Sequence, residues 1–132
     1  MPKQIINPAG LARPSGFSHA ILAEGGRLLF LAGQDASDAD GRIVGRGDLV
    51  AQFEQVLRNL GVVLAAAGGQ MQAIVKLNIF VKDRDDYLAH RRELGELFGR
   101  AFGGYYPAIA LFEVSGFFQA ECLVECEGIA VL

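Results

Sequence analysis

Apolar residues recur along this chain at two spacings. Leu49, Phe53, Val56, Leu57, Leu60, Val63, Leu64 and Ala67 fall three or four residues apart, which places them on one face of a helix. Asp48 stands where an N-cap is wanted, and Gly68-Gly69 ends the segment. A second helical stripe, Tyr87, Leu88, Leu94, Leu97, Phe98, Ala101 and Phe102, follows the capping residues Asp83 to Asp86 and stops at Gly103-Gly104. The remaining apolar runs are short and read as strands. Ser18 to Glu24 and Arg27 to Ala32 are joined by Gly25-Gly26, which predicts a tight hairpin. Ile74 to Val81, Ala108 to Val114 and Leu123 to Val131 complete the set. Gly33 to Gly47 is polar and rich in Asp and Gly, a long connection of the kind that often carries function.

The order strand, strand, helix, strand, helix, strand, strand predicts one α+β domain spanning 1–132. Two helices cover only one face of a mixed sheet of about six strands, so the other face meets water or another subunit. In the last strand Cys122, Val124, Cys126, Gly128 and Ala130 share a small apolar face suited to helix packing. Leu123, Glu125, Glu127 and Ile129 share the opposite one, mixed in character, as a wet interface would be.

Composition sharpens this. Hydrophobic residues make up 52% and mean hydropathy is +0.29, yet no apolar run approaches the roughly 20 residues of a membrane helix. The apolar surplus therefore points to burial between subunits. A net charge of −3, with no basic cluster beyond Arg91-Arg92, gives no electrostatic footprint for nucleic acid. Met1-Pro2-Lys3-Gln4 has no apolar leader core, and Cys122 and Cys126 lie about 13 Å apart if extended, too far for a disulfide. Both features predict a cytoplasmic protein with free thiols. His19 and His90 lack ligand spacing, so no metal site is expected.

Several motifs, in register over nearly the whole chain, resemble the Rid (YjgF) family. Gly16-Phe17-Ser18-His19-Ala20 resembles "GPYSQA", and Leu29-Phe30-Leu31-Ala32-Gly33-Gln34 resembles "lfvSGQ". Gln52 through Asn59-Leu60 is similar to "Q…vl.Nl", Ala67-Gly68 with Val75-Lys76 to "aaG…VvK", and Phe80 with Asp86-Tyr87 to "vFl.dm.dF". Pro107-Ala108 falls on the start of "PARs", and Val124 to Ala130 on "vEIeaiA". The resemblance implies a chorismate-mutase-like α+β fold and a homotrimer whose sheets form a central barrel, with three small-molecule clefts between subunits. It further implies cofactor-free hydrolysis of imines or enamines to ammonia and a 2-keto acid. An arginine of "PAR" would clamp the substrate carboxylate, and the glutamate of "vEIe", here Glu125, would orient the attacking water.

The chain departs from that pattern where the clamp belongs. Ile109 stands at the arginine position, Ala32 at the serine of "SGQ", Phe17 at the tyrosine and His19 at the glutamine. Arg91 falls where the family has an asparagine, and Phe117-Phe118 replaces leucine-proline. The resemblance thus implies a ligand site of Phe17, Ala32, Gly33, Arg91 and Ile109, with Glu125 as the catalytic carboxylate. Isoleucine offers a carboxylate neither charge nor hydrogen bond, so turnover of 2-iminopropanoate or 2-iminobutanoate should be weak. Two readings of Arg91 stand: a replacement cation, or part of a solvated helix face beside Glu93 and Glu96. His19 reads equally as a general base or a packed structural histidine. Two functions stand as well, a hydrolase with altered substrate preference and a module that binds a metabolite without turnover; ribonuclease action fits the acidic charge least.

Overall fold

The computed structural model describes residues 3–132. Its strands are β1 (Lys3–Ile6), β2 (Ala20–Ala23), β3 (Leu28–Gln34), β4 (Ile74–Val81), β5 (Ala108–Glu113) and β6 (Val124–Val131). Three helices, α1 (Leu49–Ala66), α2 (Arg84–Ala89) and α3 (Arg91–Phe102), and a 3-10 turn at Met71–Ala73 complete it. The fold is α+β, as the pattern of the sequence predicts, and β1 adds a sixth strand to the five read there. Four strands form a mixed sheet in the order β3-β6-β4-β5, antiparallel except for the parallel pair β4-β5. The other two form an antiparallel ribbon, β1-β2.

Helix α1 forms where its periodicity and caps put it. The Asp48 carboxylate accepts the Ala51 N–H at 3.0 Å, and Leu49, Phe53, Val56, Leu57, Leu60 and Leu64 are buried. They pack with Leu31, Leu77, Ile79, Val124, Cys126 and Ala130, which point inward from the sheet. The alternation expected of β6 holds within the strand: Val124, Cys126 and Ala130 are buried, while Glu125, Glu127 and Ile129 lie on the open face; Leu123, expected beside them, precedes the strand and packs against the core. Both cysteines are free and buried.

Three expectations need correction. Gly25 and Gly26 do take the left-handed φ values (+69° and +75°) of a tight turn, but β2 does not pair with β3. The Ser18 N–H donates to the Pro107 carbonyl at 3.0 Å, anchoring the start of β2 at the β5 edge, while β3 runs against β6. β2 instead takes as its partner β1, a strand too short to show a period. The second helix is two helices. The His90 ring lies 2.9 Å from the Asp86 carbonyl and 3.1 Å from its carboxylate, and His90 turns out of the helical region at φ −111°, ψ 17°. Finally, Gly33 belongs to β3, so the long connection begins only at Asp35.

That connection is held by side chains. Buried Gln52 donates to the carbonyls of Gly45 (3.2 Å) and Glu121 (3.0 Å) and accepts from the Leu123 N–H (2.8 Å). Asn59 donates to the carbonyls of Asp35 (3.0 Å) and Ser37 (2.9 Å). The two polar residues of the "Q…vl.Nl" motif are therefore structural: each satisfies backbone that the loop would otherwise leave unpaired.

Candidate functional site

The edge strand β5 and helix α3 diverge, and a cavity of about 620 Å³ opens between them. Its floor is set by register. Ile109 pairs with buried Leu77, and Leu111 with Ile79, so both side chains stand on the helix-covered face of the sheet. Arg91, Leu94 and Phe98 follow one another along α3 at the i, i+3, i+7 spacing, Tyr87 joins them from α2, and Tyr106 closes one end. Phe98 and Tyr106 stack at 5.7 Å. Phe17 reaches the rim because the Ser18 bond to Pro107 draws its segment alongside β5.

Three of the expected site residues, Phe17, Arg91 and Ile109, thus share one pocket. Arg91 is the only charged residue on the lining, and among the described residues it has no ion-pair partner, whereas the adjacent Arg92 reaches Glu96 at 3.6 Å. Burial, and then buried Cys126, raise the Tyr87 phenol above its ordinary range, and the Arg91 guanidinium partly offsets this.

Ala32, Gly33 and Glu125 lie elsewhere. Between Leu31, opposite Gly128, and Gln34, opposite Cys126, β3 carries one extra residue, a bulge at Ala32-Gly33. The Glu125 carboxylate lies against this bulge, so that any side chain at position 33 would collide with it. Packing against Glu125 is thus reason enough for a glycine at position 33. Glu125 pairs with Phe80 across the open face, and Phe80 stacks on Phe112 at 5.7 Å. Partial burial, and then the charges of Asp35 and Glu127, push the Glu125 carboxyl above its ordinary range. Buried Cys122, 3.6 Å from Asp35, is raised to about 11 and stays a thiol.

His19 is held structurally. Its Nε2 lies 2.7 Å from the Ala12 carbonyl, its N–H donates to Asn7 at 2.8 Å, and its ring packs edge-on to Phe17. Sequence reasoning missed Tyr106, Leu94 and Gly95 on the pocket wall. Leu94 carries the periodicity of a core residue, and nothing in the sequence distinguishes a core position from a cavity wall.

The fold and this geometry define a class: a small α+β protein whose candidate site is split into two parts on opposite faces of one sheet. Residues 10–132 match the family model for Endoribonuclease L-PSP. The chain is 38% identical over 134 residues to a RutC family protein of Synechocystis sp., covering 100% of this chain and 98% of that protein. It is 33% identical to a RutC family protein of Pyrococcus horikoshii, over 97% of each. The crystal structure of the Yersinia pestis protein YyfB, a Rid-family protein of unknown function, superposes with a TM-score of 0.90 at 37% identity, covering all of both chains. The chain belongs to the Rid (YjgF, RutC, L-PSP) family, and its fold is the YjgF type. No helix among the described residues is long and apolar enough to cross a membrane.

Proposed function

We propose that this chain is a cytoplasmic subunit of a homotrimer in which each small-molecule cleft is completed by two copies, and that the cleft hydrolyses the C=N bond of an imine or enamine without a cofactor. The carrying observation is the split site: the Phe17–Arg91–Ile109 pocket lies on the helix-covered side of the sheet, and Glu125 with its bulge on the open side. One copy cannot bring them together; a neighbour presenting its open face to the pocket can. The open face is suited to that contact, since Phe30 is 70% and Phe112 48% exposed, an apolar area that water alone would cover at a cost.

In this reading Glu125 orients a water and takes its proton as the oxygen adds to the imine carbon. The nitrogen is protonated, the resulting carbinolamine collapses, and ammonia leaves behind a carbonyl. A carboxyl raised by burial is a stronger base than an exposed one, which favours the first step. Ile109 at the pocket floor makes the site a poor holder of small 2-imino acids. The net charge of −3 supports this reading over the nuclease in the family's description.

The test joins assembly to chemistry. Light scattering at micromolar concentration should give three times the 14.1 kDa chain mass. The same sample should reduce semicarbazide trapping of imines that an amino-acid oxidase releases from leucine and phenylalanine. A stable monomer overturns the shared cleft. A trimer that binds such ligands but never lowers trapping is a binding module.

A further inference from the structure

The register of β3 against β6 ends with Gln34 opposite Cys126, and the next residues in line across the two chains are Asp35 and Glu125. Like charges so placed destabilise a sheet. Asp35 is nonetheless held firmly there. It is half-buried, and one of its carboxylate oxygens accepts the Ser37 N–H at 3.0 Å and the Ser37 hydroxyl. The other lies 3.6 Å from the Cys122 thiol, and Asn59 holds the Asp35 carbonyl at 3.0 Å. All of these donors are neutral, and among the described residues no lysine or arginine pairs with Asp35. The turn at Ser37 asks for no charge, because an asparagine makes the same bond to the N–H two residues on. A fixed carboxylate without a counter-charge therefore stands beside a second one, and local packing gives no reason for it.

We propose that Asp35 is a positioning residue for the base: anchored by Ser37 and Cys122, its negative charge makes Glu125 the stronger acceptor of the water's proton. The inference deepens the proposed function and rests on Glu125 acting there as the base. An anion beside a carboxyl favours the form that carries the proton, and a base that holds the proton more firmly assists addition of the oxygen more. The raised Glu125 carboxyl agrees in direction, with burial acting first, then Asp35, then Glu127. The other elements around Glu125 offer little charge. Phe80 faces it from β4 and stacks on Phe112 of β5, while Lys76 lies further along β4, opposite Ile129. Glu121, on the connection before β6, is paired with Arg46 at 3.0 Å. Glu127 is exposed, so water and salt screen it more than they screen Asp35.

A double-mutant cycle of Asp35→Asn and Glu125→Gln, read by melting of the intact protein across pH, tests the coupling without requiring turnover. The folded Glu125 carboxyl titrates above its unfolded value, so stability is lost as pH rises through that range, and removing Asp35 should restore part of it. Asp35→Asn should therefore melt a few degrees above wild type where Glu125 is ionised, and no higher once Glu125 is protonated. In the Glu125→Gln background it should change Tm little at any pH. Carboxyl carbon-13 NMR should show Glu125 titrating nearer the ordinary carboxyl range in Asp35→Asn, and moved less by Glu127→Gln. Toward the imine of phenylalanine, Asp35→Asn should shift the acid limb of the rate profile to lower pH and lower its plateau by up to about fivefold, with KM unchanged. Asp35→Ser is also neutral and also makes this turn, so it should behave alike and serves if Asp35→Asn does not fold. An unmoved Glu125 titration overturns the proposal, as does a Tm lowered equally at every pH, which would make Asp35 a turn residue only. Coupling in melting and NMR without imine turnover by any variant sinks the hydrolase reading and leaves the Asp35–Glu125 coupling standing. Turnover with an acid limb indifferent to Asp35 does the reverse.

Discussion

Ile109→Arg should raise turnover of 2-iminopropanoate about tenfold over a low wild-type rate. The position is on the pocket floor, paired with Leu77 and facing α3, so an arginine there projects toward the bound ligand. Two charge-assisted bonds to a carboxylate contribute roughly 1.5–3 kcal/mol each at best. The gain falls short of that sum because neither Phe17 nor Ile79 beside it can accept a hydrogen bond to fix the guanidinium. Semicarbazide competition reads the rate. A wild type already as fast as the variant would show that Ile109 does not limit small imines, and loss of that rate in Arg91→Ala would then assign the anchoring to Arg91.

Glu125→Gln should abolish turnover by about a hundredfold or more while keeping the fold, since it removes the base but not the shape. The pH behaviour follows from the direction of the shift. The folded carboxyl titrates above its unfolded value, so its contribution to stability is fully present below the ordinary carboxyl range and is lost as pH rises through the raised pKa. Activity runs the other way, rising as the carboxylate forms. The variant should therefore lose the acid limb of the rate profile and melt at neutral pH within a few degrees of wild type, on the higher side. A variant that no longer assembles would make Glu125 an interface residue and not a base.

Much of this could be read from residue order. Helix α1 was legible because its apolar spacing, Asp48 cap and terminal glycines all agree. The two faces of β6 were legible because a strand's period is two. The break at His90 was not: no glycine or proline marks it, and it depends on an imidazole reaching the carbonyl four residues back. The β1-β2 pairing was hidden for another reason. The Gly25-Gly26 turn is local and readable, but the tether from Ser18 to Pro107 links residues 89 apart. The site behaved likewise. The resemblance named Phe17, Arg91, Ile109, Gly33 and Glu125, but their division between two faces is a matter of register.

The shared cleft is tested most directly by mixing two inactive variants. Glu125→Gln keeps an intact pocket, and Ile109→Glu keeps an intact Glu125 while placing a repelling charge on the pocket floor. Each should be inactive alone toward the imine of phenylalanine. Unfolded together at equal amounts and refolded, they should regain about a quarter of wild-type activity, the share of clefts that draw both sound parts from different copies in a random cyclic assembly. No recovery from mixed trimers whose formation is verified by mass would contradict the account, because it would place the whole site within a single copy.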